Sequence, residues 1–296
     1  MKKSKIKLWV EGARLRTLPL AVSPIAIGAG AAASVQKFDL LLSLLALAVA
    51  LFLQIGVNYA NDYSDGIRGT DDFRVGPLRL TGSKSVRPEA VKLAAFISFG
   101  LAAVAGLVIV LITAQWWFIA VGAAAIIAAW FYTGGKSPYG YAGLGELAVF
   151  VFFGLVATYG TAFIQIRNFD MNALIGAIAV GLFAAAVLMV NNIRDIETDT
   201  LAKKKTLAVK VGKRPAKAIY FLMIWLPMLV LVPYSLIYPA TFFTWAVLFL
   251  LIPATLIVVT AKSPKELILA LKLTSFASLL YAVLFGLGLA QINFAL

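Results

Sequence analysis

The chain has 296 residues, 62% of them hydrophobic and only 13% charged, with a mean hydropathy of +0.94; this excludes a soluble domain and predicts one polytopic membrane domain over residues 1–296. It contains no cysteine and no histidine, which removes disulfides, thiolate chemistry, and the commonest metal ligand and general base; any metal must sit on oxygen ligands, which favours Mg²⁺. The net charge of +13 reads as membrane topology and not as nucleic-acid binding, because basic residues in short loops mark the cytoplasmic side.

Taken in order, the basic stretch Met1 to Trp9 reads as a cytoplasmic tail, since no small-residue cleavage site follows it. Nine apolar segments follow, at about Leu18 to Val35, Leu40 to Ala60, Pro88 to Leu111, Gln115 to Tyr132 and Leu144 to Ile166, then Met171 to Asn191, Ala218 to Tyr238, Thr241 to Ala261 and Leu267 to Phe294. The expectation is an all-α protein of nine transmembrane helices. Polar loops rich in Arg and Lys follow the second and sixth segments, and Thr133 to Tyr141 is a loop by its glycines and proline. With this topology 22 of the 26 basic residues fall on one side, only Lys37 and Arg167 on the other, and Lys92 and Lys272 within spans. The N-terminus and the polar loops are therefore expected to be cytoplasmic, in a multi-pass plasma-membrane protein surrounded by lipid.

Two stretches concentrate the acids. Asn58-Tyr59-Ala60-Asn61-Asp62-Tyr63-Ser64-Asp65 closes the second segment, with Asp71 and Asp72 just beyond; Asn191-Asn192-Ile193-Arg194-Asp195-Ile196-Glu197-Thr198-Asp199 closes the sixth. Together they hold seven of the 13 acidic residues. On a helix, Asn58, Asp62 and Asp65 stand at i, i+4 and i+7, and Asn191, Asp195 and Asp199 at i, i+4 and i+8, so each set shares one face. Carboxylates and amides stacked this way suit a divalent cation that keeps some waters and shares oxygens with a phosphate ligand. Two such clusters among Arg and Lys suit a diphosphate held by Mg²⁺, while the apolar segments offer room for a lipid tail. A cation-coupled transporter would also place acids in a membrane cavity, but nearer the midplane.

At these residues the chain resembles the UbiA superfamily of intramembrane prenyltransferases, whose Asn-Asp-x-x-Asp and Asp-x-x-x-Asp motifs read here Asn61-Asp62-Tyr63-Ser64-Asp65 and Asp195-Ile196-Glu197-Thr198-Asp199. The resemblance implies nine helices around a central cavity, active-site loops on the cytoplasmic face, and Mg²⁺-dependent transfer of a polyprenyl group from polyprenyl diphosphate to an aromatic acceptor. Further stretches, Arg74 to Arg79, Tyr132 to Gly135, Tyr139 to Glu146 and Thr206 to Val209, are most similar to the branch that prenylates 1,4-dihydroxy-2-naphthoate in menaquinone biosynthesis. Members acting on 4-hydroxybenzoate carry a further Asp where this chain has Gly69; that acceptor, or homogentisate, is the alternative. The implied roles are catalysis by Asp62, Asp65, Asp195 and Asp199, and Mg²⁺ ligation by these four with Asn58 and Asn191. Substrate contacts would come from Asn58, Asn61, Arg74, Tyr132, Lys136, Asn191, Asn192, Arg194 and Lys204. Arg16, Arg74 or Arg79 would meet the acceptor carboxylate.

Overall fold

The computed structural model describes residues 5–70 and 79–291, with the side chains of Lys5 and Arg16 left aside; Asp71, Asp72 and Arg74 lie outside the described residues. Every regular element among the described residues is helical. Apart from short 3₁₀ helices at Leu15–Thr17 and Tyr139–Ala142, these are in chain order α1 Lys5–Ala13, α2 Pro19–Ser34, α3 Leu40–Ile67, α4 Pro88–Thr113, α5 Phe118–Phe131 and α6 Gly145–Ile166. They continue with α7 Met171–Arg194, α8 Ile196–Leu201, α9 Leu207–Val211, α10 Lys213–Ile237, α11 Pro239–Thr260 and α12 Leu267–Ala290. Seven of them (α3, α4, α6, α7, α10, α11, α12) are long and apolar enough to cross a membrane; α2 and α5, with 16 and 14 residues, are shorter apolar helices.

The boundaries follow local chemistry. Asp39 and Asp170 cap α3 and α7 by accepting from the backbone N–H three residues on, at 2.9 and 2.7 Å. Pro19 and Pro88 occupy first turns, where their missing N–H costs nothing. The tail expected before the first span contains α1, which lies against the C-terminal half of α3: the Tyr59 hydroxyl donates to Trp9 O at 3.0 Å, and the two rings meet edge-on at 5.5 Å. Its Leu8, Trp9 and Ala13 recur at helical spacing on the packed side, a pattern too short to stand out beside the lysines.

Helix α7 is the most deeply enclosed of the long helices. It packs on α6, α12, α10 and α2, while α3 packs along α4 and α2 along α12. Because lipid supplies little driving force between apolar helices, close backbone approach matters here. A Cβ on Gly154 of α6 would stand 2.6 Å from Ala177 O and 2.7 Å from Gly181 Cα of α7, so no side chain fits there. From Phe150 to Tyr159, α6 winds as a π-helix, a widened turn often found beside functional cavities. Between α2, α3, α4, α5, α6 and α7 lies a cavity of about 320 Å³.

Candidate active site

The first acidic stretch does not end its helix. Helix α3 runs on to Ile67, so Asn58, Asp62 and Asp65 do share a helical face, and all three are buried. Both oxygens of Asp62 accept backbone N–H groups, from Leu80 and Thr81 at 2.8 Å each, which pins the returning loop onto the helix. Asp65 accepts from the Tyr141 hydroxyl at 2.7 Å and lies 3.9 Å from the Arg79 guanidinium. Asn61 accepts from the Thr133 hydroxyl at 2.8 Å, and Asn58 donates to Ala13 O at 3.0 Å.

The second stretch departs from a single continuous helix. Helix α7 ends at Arg194, Asp195 is its C-cap, and Glu197 and Asp199 belong to the short α8. One turn is nevertheless carried across the break, with Asp199 N donating to Asp195 O at 2.7 Å. The break accompanies a local clamp. Arg194 Nε and Nη2 donate to the two oxygens of Asp195 at 2.7 Å each, and Nη2 also reaches Asn191 Oδ1 at 2.8 Å. Asp199 pairs with Lys204 at 3.6 Å. Asn192 points the other way and donates to the buried Glu146 at 2.8 Å.

The loop between α5 and α6 joins the two stretches. Tyr141 holds Asp65 of the first, while Lys204 beyond the second sits 5.2 Å above its ring and Lys205 N donates to its carbonyl at 3.0 Å. Arg68 donates to the carbonyls of Thr133 and Gly135 and lies 5.5 Å from the Tyr141 ring. Burial first, and then the Asp65 carboxylate, push the Tyr141 hydroxyl well above the usual phenol range, so it remains a donor. Tyr132 lines the cavity and lies within the fields of Glu146, Asp65 and Asp199. Lys136 is exposed on the same loop.

Asn58, Asn61, Tyr132 and Asn191 form the polar end of the cavity; Phe118, Phe152, Phe153, Val156 and Ile164 are among the residues of its apolar walls. Carboxylate and amide oxygens without sulfur or imidazole fit a hard divalent cation. Among the described residues no three carboxylates converge as a ready metal cage. Sequence reasoning named neither Tyr141 nor Glu146 as a site residue. Tyr141 meets Asp65 across 76 positions and Glu146 meets Asn192 across 46, distances over which periodicity carries no signal.

A helical membrane protein with a buried carboxylate–amide head above an apolar cavity is the class that fold and site define. The model of the UbiA prenyltransferase family matches residues 21–280, and the chain belongs to that family. It is 56% identical over 212 residues, 72% of either chain, to a Mycobacterium tuberculosis protein named 1,4-dihydroxy-2-naphthoate octaprenyltransferase. An Escherichia coli protein of the same name is 35% identical over 295 residues, covering 97% of this chain and 96% of that one. Among solved structures, a UbiA homolog from Archaeoglobus fulgidus bound to GPP and Mg²⁺ superposes with a TM-score of 0.68 at 16% identity, covering 96% of this chain and 99% of that chain. The apo UbiA homolog from Aeropyrum pernix K1 gives 0.68 at 15% identity over 91% of this chain and 96% of its own.

Proposed function

We propose that this chain is a Mg²⁺-dependent prenyltransferase, moving a polyprenyl group from its diphosphate to 1,4-dihydroxy-2-naphthoate and releasing diphosphate, CO₂ and demethylmenaquinol. It would act as a single domain of nine spans in the plasma membrane, with α2 and α5 as the shorter two and the site facing the cytoplasm. The observation that carries the reading is the pair of acid–amide stretches, bridged by Tyr141 and Lys204, at the polar end of one apolar cavity. The names of the relatives supply the acceptor.

Asn58, Asp62 and Asp65 would hold one Mg²⁺, and Asn191, Asp195 and Asp199 a second. Bound there, the ions would supply positive charge to offset the negative charge that develops on the departing diphosphate. Arg194, Lys204 and Arg79 already lie against these carboxylates and are placed to turn toward phosphate oxygens. Tyr132 donates from the cavity side. The breaking C–O bond leaves allylic positive charge, which aromatic faces such as those of Phe152 and Phe153 stabilise and the apolar wall shields from water. The acceptor ring carbon bearing the carboxylate then forms the new C–C bond, and loss of CO₂ returns the electron pair to the ring. Departure of CO₂ in place of a proton explains how a site without histidine restores aromaticity with no dedicated base. Asp62→Ala and Asp195→Ala membranes test this: each variant is expected to insert normally and lose transfer by at least about 100-fold. Near-normal turnover in either would sink the two-cation reading.

A further inference from the structure

The polar end of the cavity has a second group of side chains, away from the carboxylates, that the mechanism above leaves unused. Arg14, Thr17 and Gln54 line the cavity beside Asn58. Thr17 is the hub. Its hydroxyl donates to Arg14 O at 2.9 Å and accepts from Gln54 Nε2 at 3.2 Å and Asn58 Nδ2 at 3.4 Å. The amide of Gln54 is thereby oriented, with its nitrogen engaged and its Oε1 left buried without a partner among the described residues. Arg14 Nη2 is likewise buried without one. Arg14 also adopts a left-handed backbone, φ 55 and ψ 59, at the junction of α1 and α2, a conformation that side-chain-bearing residues rarely take.

A buried cationic donor and a buried neutral acceptor, both unpaired in one cavity wall, are costly unless a ligand completes them. The pair defines the ligand. A guanidinium takes a carboxylate, and an amide oxygen takes a hydroxyl hydrogen. We propose that Arg14 and Gln54 form the recognition site for the acceptor's adjacent carboxylate and hydroxyl, Arg14 binding the first and Gln54 Oε1 the second. This rests on the prenyl-transfer reading above and adds to it the residues that select an ortho-hydroxy aromatic acid. Arg14 then takes the carboxylate role that the resemblance gave to Arg16, Arg74 or Arg79, and the strained backbone at its Cα is the cost of aiming it.

Binding of 1-hydroxy-2-naphthoate and of 1-naphthol to the purified full chain, followed by ligand fluorescence without polyprenyl diphosphate, tests the pair separately from catalysis. Wild type is expected to prefer the hydroxy acid by about 10- to 100-fold. Arg14→Gly suits the left-handed backbone, so it deletes the guanidinium without straining the chain; it should erase the preference, while Arg14→Lys keeps part of it. Gln54→Leu should weaken both ligands. In turnover, KM for the naphthoate should rise by a similar factor in Arg14→Gly, with KM for polyprenyl diphosphate within about twofold. An unchanged preference in Arg14→Gly, or a rise confined to the diphosphate KM, would overturn the proposal. If wild type prefers the hydroxy acid yet transfers no prenyl group, the recognition site stands and the proposed reaction falls.

Discussion

Tyr141 carries the connection between the two acidic stretches: its hydroxyl serves Asp65 and its ring lies under Lys204 and Arg68. Replacing it by Phe keeps the ring and removes only the donor. A hydrogen bond to a charged acceptor contributes about 1.5–3 kcal/mol, so Tyr141→Phe is expected to lower kcat/KM by about 10- to 100-fold without unfolding. Initial rates in detergent, with circular dichroism as the control, measure this; an unchanged rate would make Tyr141 a packing residue. At this scale the sequence exposes the carboxylates and amides through their spacing. It hides their partners, because the bonds from Tyr141 to Asp65, Asn192 to Glu146 and Gln54 to Thr17 all cross long stretches of chain.

At the scale of elements, periodicity places each long helix within a few residues and misjudges the ends where polar groups decide. Helix α3 continues seven residues beyond Ala60, to Ile67, since Asp62 and Asn61 find partners on its surface. Helix α7 stops at Arg194 because the side chain of that residue folds onto the next one, a choice that apolar spacing does not encode. The α6–α7 contact rests on Gly154 and Gly181, where a Cβ would meet backbone. Gly154→Leu should therefore force the helices apart at a cost of roughly 1–3 kcal/mol or more, lowering the detergent melting temperature. Gly122→Ala, with no atom within 4 Å of its new Cβ, should leave it unchanged. Equal melting of the two variants would contradict close backbone packing as the source of that contact.

For the whole molecule, polarity is segregated along one direction: buried carboxylates, amides and cations at one end of the cavity, and aromatic and aliphatic walls beyond. A substrate with a diphosphate head and an apolar tail matches this order, and an aromatic hydroxy acid matches the Arg14–Gln54 wall beside it. Membranes containing the chain, supplied with a polyprenyl diphosphate and Mg²⁺, should convert 1,4-dihydroxy-2-naphthoate to a prenylated, decarboxylated quinol. The reaction should stop with EDTA, and 4-hydroxybenzoate offered in parallel should give no product. Product from hydroxybenzoate alone, or naphthoate product that survives EDTA, would contradict the account.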